Sequence, residues 1–440
     1  MADNATWLAP LRERPFRTWV VGRGLSNIGS AVTTVLVPLV AVVALHATAS
    51  VVSLIVASNL AAIAVGRPLG SLFAERSKRR LRVLLGLDLA ACIVVLAVPA
   101  LYFAGALTVA LFWVLSVGNG FLAGTFGAYA APVITELVDD EHLGQANGIL
   151  GSSSSVASVV GPAIAAGLLT IVAAPVAMLV DAGSYLLGAL SEIRLLSLRR
   201  ADAAARSPRE PADPVSDVDT PTPDASMVGA FAAPFRSAVV GRLLLALLVV
   251  TVLNGVALGV LAVFMVRHLG LSTSLVAGIG AGGAVGGVGA GLSTGSVVNR
   301  LGNIRAAKLG LALMCLSVVG LPFAPHGLLG IIPCALYEVL GASGGTLFIS
   351  ILFTLVIRSL RPDQLARGMA SAAAVPEGGQ MLGAALGGVL VAAVGVRPLL
   401  YVVAIAASVA LLAGGLGLRN ASEPNFARPD SDCEGESTSA

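Results

Sequence analysis

Pro15-Phe16-Arg17-Thr18-Trp19-Val20-Val21-Gly22-Arg23 and Pro234-Phe235-Arg236-Ser237-Ala238-Val239-Val240-Gly241-Arg242 agree at seven of nine positions, 219 residues apart. Both lead into long apolar runs. A second echo joins Leu143-Gly144-Gln145 to Leu365-Ala366-Arg367, and a third joins Glu75-Arg76 to Asn299-Arg300, at offsets of 222 and 224. Three offsets this close point to a tandem duplication. If each copy holds an even number of spans, both face the same way in a membrane, and a site is expected between them.

The composition agrees. Of 440 residues, 56% are hydrophobic and 12% charged, with a mean hydropathy of +0.91. A water-facing surface takes roughly 25% charge, so a soluble enzyme, a nucleic-acid binder and a disordered scaffold are all excluded. The net charge of +3 says little about partners. Arginine carries 25 of the 27 positive charges, a skew that fits a GC-rich bacterial genome. Cys92, Cys315, Cys334 and Cys433 lack any ligand spacing, so neither a disulfide framework nor a metal site is expected, and the buried ones read as apolar filler. The first 17 residues are charged, so no cleavable leader is expected.

A spanning helix needs about 20 apolar residues. Charge-free runs such as 24–66, 89–135 and 142–180, with turn-like breaks at their midpoints, divide into helices. The pattern predicts twelve, near 18–44, 50–74, 82–103, 107–133, 146–171, 176–198, 238–263, 273–298, 305–323, 328–357, 368–392 and 398–418. The fold class is therefore all-α integral membrane, two six-helix parallel repeats. Residues 1–17 form a cytoplasmic N-terminus, 18–200 the first bundle and 231–418 the second. Residues 201–230 are rich in Pro, Asp, Ser and Ala and read as a flexible cytoplasmic linker; 419–440 read as a disordered acidic tail. With the N-terminus inside, the outer loops hold only Arg267 and Arg397. Flipping the chain would send the basic stretch 75–82 across the membrane. Both termini are thus expected in the cytoplasm, in a cell membrane.

The loop between the second and third helices reads Ser71-Leu72-Phe73-Ala74-Glu75-Arg76-Ser77-Lys78-Arg79-Arg80, with a degenerate copy Gly295-Ser296-Val297-Val298-Asn299-Arg300-Leu301-Gly302. Together with the repeat, it resembles the signature of the major facilitator superfamily, with Glu for Asp and Lys78 for the second Gly. The resemblance covers nearly the whole chain apart from linker and tail. It implies a gating loop of Glu75, Arg76, Arg79, Arg80, Asn299 and Arg300, in which Arg79 reaches a carboxylate at the foot of helix four, Glu136. A second pattern, Gly148-x8-Ala157-x3-Gly161-Pro162-x2-Ala165-Ala166, is similar to the antiporter motif of drug exporters in that superfamily. Helix eleven repeats it as Ala370-x8-Gly379-x3-Gly383-Ala384-x2-Gly387-Gly388. Small residues at this spacing let helices approach closely, and the proline loosens the local backbone. The branch it looks most like is that of macrolide pumps and siderophore secretion proteins. Other pumps often place a proton-relay arginine on helix four; this chain has Asn119.

Ionisable groups inside spans cost roughly 2.5–3.5 kcal/mol each and need a reason. Glu377, following Pro376, and Glu338 lie near mid-membrane, where a desolvated carboxyl is suited to take up and release a coupled proton. Asp88 is a third candidate, or else a partner of Arg82 or the loop arginines. Asp181 is shallow on the outer side. Glu192 reads as an interfacial ion pair with Arg194. Arg23 and Arg242 are expected to snorkel to the cytoplasmic face. A binding role for Arg23, and for Asn27, Asn59, Asn119 and Asn254, makes these the candidates for a substrate cavity. Gly278-Ile279-Gly280-Ala281-Gly282-Gly283 lacks the strand and distal acid of a dinucleotide loop. Gly341-Ala342-Ser343-Gly344 looks like a rhomboid-type nucleophile loop, but the last histidine is His326. No catalytic residue, metal or cofactor is expected. The expected function is proton-coupled efflux of a small amphipathic compound by a monomer in the lipid bilayer. Metabolite uptake and a transport-inactive sensor are the alternatives, and no nucleic acid partner is expected.

Overall fold

The structure, a computed structural model, describes residues 9–74, 76, 77, 79–205, 235, 238–360 and 364–417. Twelve helices are long and apolar enough to cross a membrane: α1 (Arg14–Ala44), α2 (Ala49–Ala74), α3 (Arg80–Phe103), α4 (Val109–Thr135), α5 (Leu143–Leu168), α6 (Ala174–Arg199), α7 (Val239–His268), α8 (Thr273–Leu301), α9 (Asn303–Phe323), α10 (Leu328–Ser359), α11 (Gly368–Val394) and α12 (Val396–Ala413). In lipid every backbone N–H and C=O must be paired within the chain, and long helices do this locally. The predicted boundaries agree to within a few residues. The proposed linker lies outside the described residues except Ala201–Ala205, which continue the last helix of the first bundle. The proposed tail from 419 lies outside them too.

Helix ends follow local chemistry. Thr108 and Ser272 cap α4 and α8, their hydroxyls accepting from Leu111 N at 3.3 Å and Leu275 N at 3.4 Å. Between α8 and α9 the chain turns on Gly302 (φ 77°), and between α11 and α12 on Gly395 (φ 83°). Only glycine adopts such a backbone without a Cβ penalty, and it allows a one-residue connection there.

Within the first bundle α1 packs on α5 and α6, α2 on α4, and α3 on α6; in the second, α7 packs on α11, α8 on α10 and α9 on α10. The halves meet along α2–α11, α5–α8 and α2–α7. At the face away from the termini, one core unites both halves, from Val32, Leu36 and Ile55 to Val260, Phe264 and Val276. At the terminus face each half has its own core, around Phe16, Trp19 and Leu84 in the first and around Leu247, Phe348 and Leu352 in the second. Among the described residues, the molecule is sealed at the far face and divided at the terminus face.

Candidate functional site

A cavity of about 800 Å³ lies between the halves, within the range that encloses drug-sized ligands. It is lined by Ser152, Ser155, Val156, Ser158, Val159 and Val160 of α5, by Ala284, Gly287, Val288, Gly291 and Leu292 of α8, and by Ala342 and Thr346 of α10. The lining is apolar with hydroxyls and, among the described residues, carries no charged side chain. The signal for it in the sequence is the run Ser152-Ser153-Ser154-Ser155, which hydropathy alone passes over.

None of the five residues expected to line a substrate cavity lies on this one. Asn27 donates to Ser154 Oγ (3.3 Å), Asn59 to Ser116 O (2.7 Å) and Asn254 to Val250 O (3.0 Å). Asn119 accepts from the Tyr185 hydroxyl at 3.4 Å. A carboxamide inside a helix seam spends its donors on its neighbours.

Arg23 does not snorkel. It turns into the first bundle, 4.0 Å from Asp88 Oδ1, with Cζ 4.0 Å from the centre of the Phe126 ring, which in turn stacks on Trp19. Asp88 pairs there and not with Arg82 or the loop arginines. Asp181 is fully buried in the bundle, where Ser184 Oγ donates to its Oδ1 at 3.1 Å. Glu192 corrects another expectation: it is 1% exposed inside the bundle, while Arg194 faces outward. Arg242 is exposed.

Glu377 sits on α11 with its carboxylate toward Arg67 of α2, whose Nη1 lies 2.5 Å from both carboxylate oxygens. The pair joins the two halves. Its side chains are 45% and 51% exposed, so it contributes at most about 1 kcal/mol and is easily opened. Arg67 is not marked in the sequence: it stands just past the charge-free run 24–66, within the last two turns of α2, where an arginine ordinarily serves topology. Glu338 is half-buried on α10 against Gly283 of α8, with no ion pair among the described residues.

At the terminus face Glu136 is held by Arg80 (2.7 Å) and Arg199 (2.8 Å), not by Arg79. Arg80 also donates from Nε to Ala74 O, tying the loop to the end of α2. Arg76, Arg79, Asn299 and Arg300 are exposed, and Glu75 lies outside the described residues. In the small-residue motif, Gly161 abuts Ala31 and Val32 of α1, and beside it Ala157 and Pro162 are buried. Gly379, Gly383 and Gly387 abut Thr251, Val252 and Val256 of α7, and Gly388 meets Ser50 and Ser53 of α2 across the halves. Gly148 faces open space and takes no part in the packing. Cys92, Cys315 and Cys334 are buried and free.

Solved structures share this architecture at low identity. A bacterial homologue of the iron transporter ferroportin in an inward-facing state matches at TM-score 0.63 and 16% identity, over 92% of this chain and 98% of that one. A bacterial homologue of the human lysosomal transporter Spinster, inward-facing and unoccupied, matches at 0.64 and 17%, over 94% and 99%. The nucleoside transporter NupG matches at 0.69 and 12%, over 93% and 100%. No curated protein sequence matches the chain. The family model of the Major Facilitator Superfamily matches residues 20–375, most of the chain. With twelve apolar helices in two parallel repeats, the chain belongs to the major facilitator superfamily and is a multi-pass membrane transporter.

Proposed function

We propose that the protein exports a small, largely uncharged amphipathic compound in exchange for protons, as a monomer, by rocking its two bundles. The observation that carries this reading is the cavity between the halves, apolar and hydroxyl-lined without a charged group. Such a lining accepts an apolar body and a few hydrogen bonds and offers no countercharge to a sugar phosphate or a metal ion. With both termini in the cytoplasm of a bacterial cell, the divided face opens inward and the sealed face outward. The small-residue seams of α5 and α11, similar to the antiporter motif, support export over uptake.

The coupling step belongs to Arg67 and Glu377. A proton on Glu377 cancels the charge that holds Arg67, and the α2–α11 seam is then free to shift. Return of the carboxylate restores the pair. Glu136, clamped by Arg80 and Arg199, steadies the terminus face of the first bundle during the movement.

Accumulation of lipophilic dyes and antibiotics in a pump-deficient bacterial host tests the proposal. Cells carrying the protein are expected to accumulate less, and a protonophore to abolish the difference. Glu377→Gln should lose the export while inserting normally. Accumulation that rises with expression would instead show uptake; binding without flux would show a sensor.

A further inference from the structure

The first bundle buries three carboxyl groups that the passage between the halves does not use. Asp88 of α3 and Asp181 and Glu192 of α6 are 1, 0 and 1% exposed. One oxygen of each has no hydrogen-bond partner. They lie in order along one face of α6, against α1 and α3. Asp181 and Ser184 abut Gly29, and the Tyr185 hydroxyl accepts from Ser30 at 3.4 Å. One turn further, Asp88 Oδ2 fills the space over Gly188, with Ser26 beside it. Ser191 then packs on Gly22, next to Glu192. From Asp181 to Glu192 the row runs about 16 Å, at roughly 1.5 Å per residue.

Two further observations point to an occupant. The hydroxyl of Ser26, 0% exposed, is also unpartnered in this seam. A space of about 30 Å³ is bounded by Arg23, Ser30, Asp88, Phe126 and Tyr185, enough for one water. It lies between Asp88 and the hydroxyls that lead toward Asp181.

Charge decides what the row holds. Among the described residues Arg23 is the basic group that forms an ion pair with the row, 4.0 Å from Asp88 Oδ1, and Asp181 and Glu192 have no ion pair. Three carboxylates against one guanidinium would leave two unbalanced negative charges away from water, so the row retains protons at its excess carboxyls. A metal ion is the poorer occupant: among the described residues no three His, Cys, Asp or Glu converge closely enough to hold one. The fold does not need these groups. The equivalent helices of the second copy, α7, α9 and α12, pack together without a single Asp or Glu.

We propose that the α1–α3–α6 seam of the first bundle is a proton-binding site, where Asp88, Asp181 and Glu192 share exchangeable protons around Arg23. It is separate from the Arg67–Glu377 pair. The titratable groups facing the seam are Arg23 from α1, Asp88 and Cys92 from α3, and Asp181, Tyr185 and Glu192 from α6; α4 brings Asn119 and Phe126. The inference rests on the proposed proton coupling for what the protons drive, and not for where they bind.

Infrared difference spectra of the purified protein in detergent, cycled between acid and alkaline buffer without substrate, read protonated carboxyls directly. The wild type is expected to show carboxylic carbonyl bands that shift in heavy water. Asp88→Asn, Asp181→Asn and Glu192→Gln should each lose part of them, whereas Glu377→Gln, which removes only the band of its own carboxyl, keeps the bands that these three variants lose. These amides match a protonated carboxyl in size and charge, and three independent variants guard against one that misfolds. Bands unchanged in all the variants that purify would overturn the proposal, as would bands that respond to sodium at fixed pH and not to protons. The readout needs no export, so a chain that fails to pump dyes still answers the question.

Discussion

A Cβ added at Gly383 would run into the Val252 carbonyl oxygen and come within 2.9 Å of Gly255 Cα. Both are backbone atoms, so α11 itself would have to move off α7. Gly383→Ala should therefore cost about 1–3 kcal/mol, read as a lower unfolding temperature of the purified protein. Gly148→Ala, with nothing within 4 Å, should leave that temperature unchanged or raise it, since alanine favours helix. The two glycines belong to copies of one motif in the sequence, and only their surroundings separate them. Glu192 teaches the same lesson. Its neighbour Arg194 looks like a partner, yet residues two apart on a helix point to different sides. Glu377 was legible, because a carboxyl deep in an apolar span demands a use. Arg67 was not, because nothing local marks an arginine in the last two turns of α2 as one half of a bridge to α11.

At the scale of elements, α1 and α7 each end in a π-helical turn, Val40–Ala44 and Phe264–His268. The duplication preserved the feature at matching places. The looser turn leaves the Val42 carbonyl free, and Arg267 Nη2 donates to it at 3.0 Å, across the halves at the sealed face. The other arginine expected outside, Arg397, donates to Pro322 O and Ala324 O, pinning α12 to the end of α9. A hydrogen bond from a charged donor contributes about 1.5–3 kcal/mol, so removing Arg267 should favour opening of the sealed face by roughly ten- to a hundred-fold. Ser53, fully buried where α2 meets α7 and α11, gives the reporter: Ser53→Cys should react faster with a maleimide in the Arg267→Ala background. At the opposite face, Arg80→Ala should impair transport by loosening the Glu136 clamp. Arg79→Ala, at an exposed position without a carboxylate partner among the described residues, should not. Transport rates of the two variants at equal expression decide between them. The loop motif placed the basic cluster correctly, while the choice between adjacent arginines depended on how α3 begins.

For the whole molecule, the shared core at one face and the paired cores at the other define a single open side. Ser155, exposed on the cavity wall, should as Ser155→Cys be labelled by a membrane-impermeant maleimide in inside-out vesicles and spared in right-side-out ones. Equal labelling from both sides would contradict the sealed face; labelling reversed between the vesicle types would contradict the proposed orientation. Because the seams between the halves are built largely on apolar and small residues, and the ion pair that joins them among the described residues is exposed, the halves can part at either face without leaving a buried charge behind.

Span count, repeat and helix ends were written in the sequence, because lipid imposes a length and an apolarity that each helix must satisfy by itself. The candidate carboxyls were also visible there, as costs that need a reason. Partners were not. Which helix face Asp88, Glu192 or Arg23 presents depends on neighbours far away in the chain, 65 positions for Arg23 and Asp88, and the union of Arg67 with Glu377 spans 310. Only the packing of twelve helices decided that three carboxyls share one buried seam, that the serine run of α5 borders a cavity, and that the molecule is closed on one side. Those outcomes depend on the rotation and approach of whole helices, which no local stretch of sequence contains.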